Sequence, residues 1–267
     1  MGIELETTLL IDSPQPEAIM YQLADIDMIG PYEIISKGSC TIFDRYFDTK
    51  DRTFLKKRAA LRLRQVGSTL MLCMKAKECV NEWGGIERVE IEEAWCEDTL
   101  ERIICALDET SLEMDNLAFG EGDPAHTLNC LGLQCIQDRQ TGRITRDIID
   151  PESTSFACCA EMALDTVNYR FGDRSFRHFE VEIEANTDKD EKHIQAVVDL
   201  LKVEFSGALK RWDHNKLITG YALETLVKRG EFSSGEQIRD VIDHQGYEKI
   251  DTLIRKEYSY TGEGYLG

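Results

Sequence analysis

Five short stretches of the chain carry charged residues two positions apart. Glu4 and Glu6 form the first, and Arg62 with Arg64 and Lys75 with Lys77 supply two basic pairs. Arg88, Glu90 and Glu92 mix both signs, and Glu180, Glu182 and Glu184 make an acidic triplet. In an extended strand residues i and i+2 point to the same side, so each group presents its charges together. The residues between them are mostly apolar, among them Leu5, Leu63, Val89, Ile91, Val181 and Ile183. Arginine forks and lysine ammonium groups suit a chain of phosphates. Clustered glutamates offer hard oxygen ligands, which suit Mg2+ or Mn2+ and not a soft metal. The two sets together fit metal-assisted attack on a phosphoanhydride. Any one such strand is also what a half-buried strand looks like when it shows its charges to water. Recurrence along one chain favours a shared polar interior, because isolated dry charges would be prohibitive.

The elements that would position these charges are legible from periodicity. Alternation with period two predicts strands over 3–11, 39–47, 60–65, 69–77, 88–93, 134–144, 157–167 and 176–184. Helical spacing appears at Leu100, Ile103, Ile104 and Leu107, and again at Ile194, Val197, Val198 and Leu201, each after an acidic start. Residues 16–27 predict another helix. Ile238, Val241 and Ile242, then Ile250, Leu253 and Ile254, predict two C-terminal helices with Gly246 between them. Strands in groups, with helices between the groups, predict an α+β fold. An antiparallel sheet closed into a barrel would turn one face of every strand inward, and the helices would cover the apolar outer faces. Gly230, Ser233, Ser234 and Gly235 mark a junction. The expected organisation is therefore a barrel domain over 1–227 and a helical extension over 228–267.

Composition narrows the partners. The 267 residues carry a net charge of −19, so the surface should repel nucleic acid and anionic membranes. An anion site must then be built locally from basic side chains. The chain shows no apolar run near the roughly 20 residues of a membrane span and no basic, then apolar, secretory leader. Nine cysteines, an odd number with Cys158 and Cys159 adjacent and no Cys-x-x-Cys, predict reduced thiols in the cytoplasm over a disulfide framework or a zinc site.

The ordered motifs resemble those of the CYTH superfamily, the triphosphate tunnel metalloenzymes. Glu4-Leu5-Glu6-Thr7-Thr8 resembles the family's opening Glu-x-Glu-x-Lys strand, and Tyr46-Phe47-Asp48-Thr49 its Tyr-Phe-Asp-Thr segment. Leu61-Arg62-Leu63-Arg64, Lys75-Ala76-Lys77 and Arg88-Val89-Glu90-Ile91-Glu92 are similar to the three charged strands that follow. Leu164-Asp165, Glu180-Val181-Glu182, and Asn215-Lys216 with Gly220-Tyr221 resemble the late elements in the right order. The resemblance implies a closed eight-stranded antiparallel β-barrel, or tunnel, with flanking helices. It implies Glu4, Glu6, Glu180 and Glu182 as ligands for Mg2+ or Mn2+. Phosphate contacts are implied for Arg62, Arg64, Lys75, Lys77 and Lys216, with Arg143 or Arg139 adding another. Glu4, Glu6, Lys75 and Lys216 are the implied catalytic set. Glu90 and Glu92 would position basic residues or bind a second metal, and Asp165 would either orient a neighbouring cation or be an ordinary strand-end aspartate.

Two positions depart from the pattern. Thr8 stands where the family has lysine, and a threonine cannot act as a base near neutrality. Asn215 stands where serine is usual. The expected function is metal-dependent hydrolysis of a small-molecule triphosphate: inorganic tripolyphosphate, thiamine triphosphate or a nucleoside triphosphate. The alternatives are a class IV-type adenylate cyclase and a weakly catalytic polyphosphate- or nucleotide-binding protein. Substrate identity and oligomeric state stay open at this stage.

Overall fold

The computed structural model describes residues 2–80, 86–107, 123–152, 157–187, 190–232 and 240–258; the side chains of residues 2–4, 77–80 and 87 lie outside this description. All eight segments that alternate with period two are strands: β1 (Gly2–Ile11), β3 (Tyr32–Thr49), β4 (Ala60–Val66), β5 (Thr69–Val80), β6 (Ile86–Ala94), β7 (Leu133–Ile149), β8 (Cys158–Phe171) and β9 (Arg174–Ala185). The sheet has ten strands, not the eight expected, because β2 (Met28–Ile29) and β10 (Leu209–Arg211) join it. These two span two and three residues, too short to show a period. The strand order is β10-β1-β6-β5-β4-β3-β7-β8-β9, with a further pairing of β1 to β9 and of β2 to β3. Every pairing between these strands is antiparallel.

Seven α-helices flank the sheet among the described residues: α1 (Pro16–Asp25), α2 (Thr53–Lys56), α3 (Glu97–Ala106), α4 (Pro124–Cys130), α5 (Glu191–Glu204), α6 (Lys216–Lys228) and α7 (His244–Leu253). α1, α3 and α5 follow the sequence expectation. The C-terminal expectation needs correction. Gly246 does not separate two helices but lies in the first turn of α7, and Val241 bridges to Arg177 instead of forming a helix. Ile238 lies outside the described residues. Asp243 caps α7 by accepting from the Gly246 N–H at 2.8 Å, so the capping aspartate, not the glycine, sets the boundary. α6 was not foreseen. No described helix is long and apolar enough to cross a membrane.

Three apolar clusters explain why the strands alternate. In the first, Leu5, Leu9 and Ile11 of β1 and Phe179, Val181 and Ile183 of β9 meet Leu23 of α1 and Ile194, Val197 and Leu201 of α5. In the second, Leu61 and Leu63 of β4, Leu72 and Met74 of β5 and Ile91 of β6 meet Leu100 and Ile103 of α3 and Leu128 of α4. Both clusters use the face opposite the charges, and burying it against helices supplies the main driving force. The third lies on the charged side. Leu10, Val167, Tyr169 and Phe176 have the same parity as Glu6, Asp165 and Glu180, and they pack with Trp212, with Leu223 and Leu226 of α6, and with Tyr247, Ile250 and Leu253 of α7. The polar face therefore becomes apolar toward one end, where α6 and α7 cover it.

α6 packs tightly against the sheet at Gly220. A β-carbon there would lie 2.3 Å from Gln137 Nε2 and 2.6 Å from Tyr169 Cε1. Gly220→Ala is expected to lose about 1–3 kcal/mol of stability through overpacking. Urea denaturation measures this, and unchanged stability would mean that α6 is seated less tightly than these distances require.

Candidate active site

Lys216 opens α6 and owes its position to backbone anchors. Asn215 caps the helix, its side chain accepting from the Ile218 N–H at 3.0 Å, so this residue does the work expected of a serine there. The Tyr169 hydroxyl donates to the Lys216 carbonyl at 2.7 Å, and Gln137 Nε2 donates to the Leu217 carbonyl at 3.2 Å. Trp212 Nε1 donates to Thr219 Oγ1 at 3.1 Å. The lysine is thereby aimed at the carboxylates in the middle of β8 and β9. Its Nζ lies 3.0 Å from Asp165, 2.5 Å from Glu182 and in contact with Glu180. Arg143 of β7 grips Asp165 with two hydrogen bonds of 2.8 and 2.6 Å and reaches Glu182 at 2.6 Å. Asp165, Glu180 and Glu182 can bring one oxygen each within 4.8 Å of one another.

Charge balance fixes the ionisation here. Burial pulls the Lys216 ammonium pKa down, but Glu180, Glu182 and Asp165 outweigh it and hold the value above the usual lysine range. Burial would raise Asp165 and Glu182, but Lys216 and Arg143 keep both below the usual carboxylate range. The charged form of Lys216 is thus favoured over the neutral amine.

A second node lies on β3, β4, β6 and β7. Asp44 of β3 accepts from Arg64 at 2.8 and 3.1 Å and from Arg139 at 3.4 Å, with Arg62 Nε 3.7 Å away. Burial would raise the Asp44 pKa, yet Arg62, Arg64 and Arg139 force it far below the usual range. Tyr46 accepts from Arg62 at 3.1 Å and from Arg139, and the Arg139 guanidinium stacks over its ring at 4.6 Å. Glu90 and Glu92 of β6 pair with Arg62 at 3.7 and 3.4 Å; Glu92 also reaches Arg64 at 3.2 Å, and Glu90 reaches Lys75 at 3.4 Å. Arg62 Nε and Arg139 Nε are buried without a hydrogen-bond partner.

Between these nodes lies a cavity of about 700 Å³. Arg62, Arg64, Lys75, Arg143 and Lys216 line it together with Glu6, Glu90, Glu92, Asp165 and Glu182. Each of the eight long strands contributes at least one lining residue. Glu6 lines the same space and pairs with Arg88 at 2.6 Å. Glu180 is 1% exposed and sits behind the lining, against Lys216 and His178. The side chains of Glu4 and Lys77 lie outside the described residues. Thr8 is buried and directly opposite Glu182 across the β1–β9 ladder. Asp44 and His178 were missed from the sequence. Asp44 shares strand parity with Tyr46, the signal the sequence offered, while its pairing across the ladder with Arg64 shows only in the structure.

The CYTH domain family model matches residues 34–221. No curated protein matches the chain. Among solved structures, a candidate adenylyl cyclase from Hippeastrum, HpAC1, described by a dominant triphosphatase activity, superposes with a TM-score of 0.52 at 16% identity, covering 87% of this chain and 99% of its own. A candidate adenylate cyclase from Bacillus halodurans gives 0.46 at 19% identity, covering 81% and 97%. The PH1819 protein of Pyrococcus horikoshii gives 0.44 at 17% identity, covering 84% and 99%. At 16% identity the likeness to the Hippeastrum protein is one of fold.

Proposed function

The chain belongs to the CYTH family, and from that premise we propose that it hydrolyses small triphosphates, with Mg2+ or Mn2+, inside a charged tunnel. The observation that carries this reading is the convergence of Arg62, Arg64, Lys75, Arg143 and Lys216 on one cavity beside the carboxylates Asp165 and Glu182. We read β1 and β3 to β9 as a closed eight-stranded barrel, supported by the pairing of β1 with both β6 and β9. The tunnel domain spans 1–227 and the helical extension 228–267; the family match ending at 221 supports the division. The described cysteines are free thiols, which suits the reducing cytoplasm.

Asp165, Glu180 and Glu182 are hard oxygen donors within reach of one centre, and a divalent ion would take that centre by displacing the Lys216 ammonium toward the cavity. Glu6 is the remaining described carboxylate of the expected ligand set. When bound, the ion supplies charge neutralisation at phosphate and a lowered pKa for water. The protein's own side chains bind and orient. Arg62 and Arg64 present paired N–H donors to phosphate oxygens, and Lys75 and Arg143 add charge from the neighbouring strands. Glu90 and Glu92 hold Arg62, Arg64 and Lys75 over the cavity before substrate arrives. Lys216 donates to the phosphate oxygen on which charge develops.

Thr8 favours a second reading, a polyanion binder with slow turnover, because it leaves an uncharged residue opposite Glu182. One experiment separates the readings. Phosphate release from tripolyphosphate, thiamine triphosphate and ATP is measured in excess chelator and after adding back Mg2+ or Mn2+, with cyclic AMP scored alongside. The expected result is release that vanishes in chelator and returns with either metal. Full activity in chelator would remove the metal from the mechanism. Tight tripolyphosphate binding without release would establish the binder, and cyclic AMP from ATP the cyclase.

A further inference from the structure

Behind the cavity runs a buried chain of polar groups for which the hydrolytic reading has no use. His178 of β9 is fully buried, two residues before Glu180 on the same face. Its Nε2 lies 2.6 Å from Glu180 Oε2, and its Nδ1 lies 3.1 Å from the Tyr247 hydroxyl of α7. A carboxylate only accepts, so Nε2 carries the hydrogen and donates to Glu180. In the neutral ring Nδ1 then accepts from the Tyr247 O–H. With the ring neutral, the hydrogens run from Tyr247 to His178 and from His178 to Glu180. Glu180 meets Lys216, whose ammonium reaches into the cavity. Packing holds the imidazole as well, with the rings of Tyr169, Trp212 and Tyr247 at 6.3, 6.4 and 5.6 Å.

We propose that His178 and Tyr247 are positioning residues that fix Glu180, and through it Lys216, so that the C-terminal helix α7 belongs to the working parts of the site. Tyr247 lies beyond residues 34–221, so this contribution comes from outside the matched family region. Orienting partners of this kind are often worth about 10–100-fold in activity or affinity when removed. The inference rests on the triphosphate reading of the cavity.

The test uses the full-length chain with Tyr247→Phe, His178→Gln and the double variant. Tyr247→Phe removes one oxygen and keeps the ring in its apolar cluster. Steady-state hydrolysis of tripolyphosphate should show kcat/KM lowered about tenfold in each single variant. The double variant should be no worse than the poorer single, because both act along one chain. In the wild type, 15N NMR should show His178 with the hydrogen on Nε2, and Tyr247→Phe should shift that tautomer signal. Singles within twofold of the wild type, or a double variant with the product of two losses, would overturn the proposal. If the wild type releases phosphate from no triphosphate, the hydrolytic reading fails by itself. The relay is then decided by the tautomer signal and by calorimetric tripolyphosphate affinity, which should fall in both single variants if Lys216 is displaced and stay unchanged if the relay is wrong.

Discussion

Replacing Lys216 with methionine is expected to abolish triphosphate hydrolysis and to destabilise the folded protein by about 3–5 kcal/mol, the usual effect of removing one partner from a buried charge network. The lysine touches Asp165, Glu180 and Glu182 together, and Arg143 alone cannot balance three carboxylates. The apolar methionine stem would fill the volume but leave the negative charges facing one another. Such carboxylates bind a proton more readily in the folded variant than in the unfolded chain, so the penalty should shrink as pH falls from 7 toward 5. Urea denaturation across that range, beside phosphate-release assays, measures both effects. A Lys216→Met protein with wild-type stability at neutral pH would show that the three carboxylates do not depend on the lysine.

Asp44→Asn should be nearly as damaging to stability, with the opposite electrostatic sense. The substitution keeps size and removes the charge that neutralises Arg62, Arg64 and Arg139. A loss of about 3–5 kcal/mol is expected in the ligand-free protein. Bound tripolyphosphate can replace the missing negative charge, so the ligand-induced rise in melting temperature should exceed that of the wild type. The pH dependence follows from the same contacts. Asp44, Asp165 and Glu182 all have pKa values below those of the unfolded chain. Their contribution is fully present above an unfolded value of about 4 and is lost as pH falls below it. The wild type should therefore lose stability steeply in that acidic window, and Asp44→Asn less steeply. Parallel acid profiles for the two proteins would mean that Asp44 is not held by the three arginines.

Strand parity made much of this site legible. Arg62 and Arg64, or Glu180 and Glu182, must share a face whatever the partners of their strands, so alternation alone showed which charges stand together. Lateral register was not legible, because it depends on which strands pair. Nothing in the sequence near Asp44 indicates that Arg139, 95 residues away, will reach it. The same limit hid His178 and Tyr247, which are 69 residues apart and joined only by the packing of α7. α6 escaped notice for a different reason. Leu217, Gly220, Ala222, Leu223 and Leu226 are buried between the sheet and α7, and a helix covered on more than one side has no polar stripe to betray its period. β2 and β10 are too short for any pattern, and Gly246 misled because a glycine in a capped first turn resembles a breaker.

The apolar end of the charged face has a consequence for traffic. Along β9 the inward series runs from Glu184 and Glu182 to Glu180, then to His178 and Phe176, which lie under Trp212 and the two last α-helices. If the cavity takes triphosphates as proposed, this apolar covering lies across the path of a long linear polyphosphate threaded along β9. A terminus inserted from the charged side would react and back out by that same side, so the two products would leave in sequence. Cleavage of long chains should therefore be distributive, trimming ends across the whole population before any single chain is consumed.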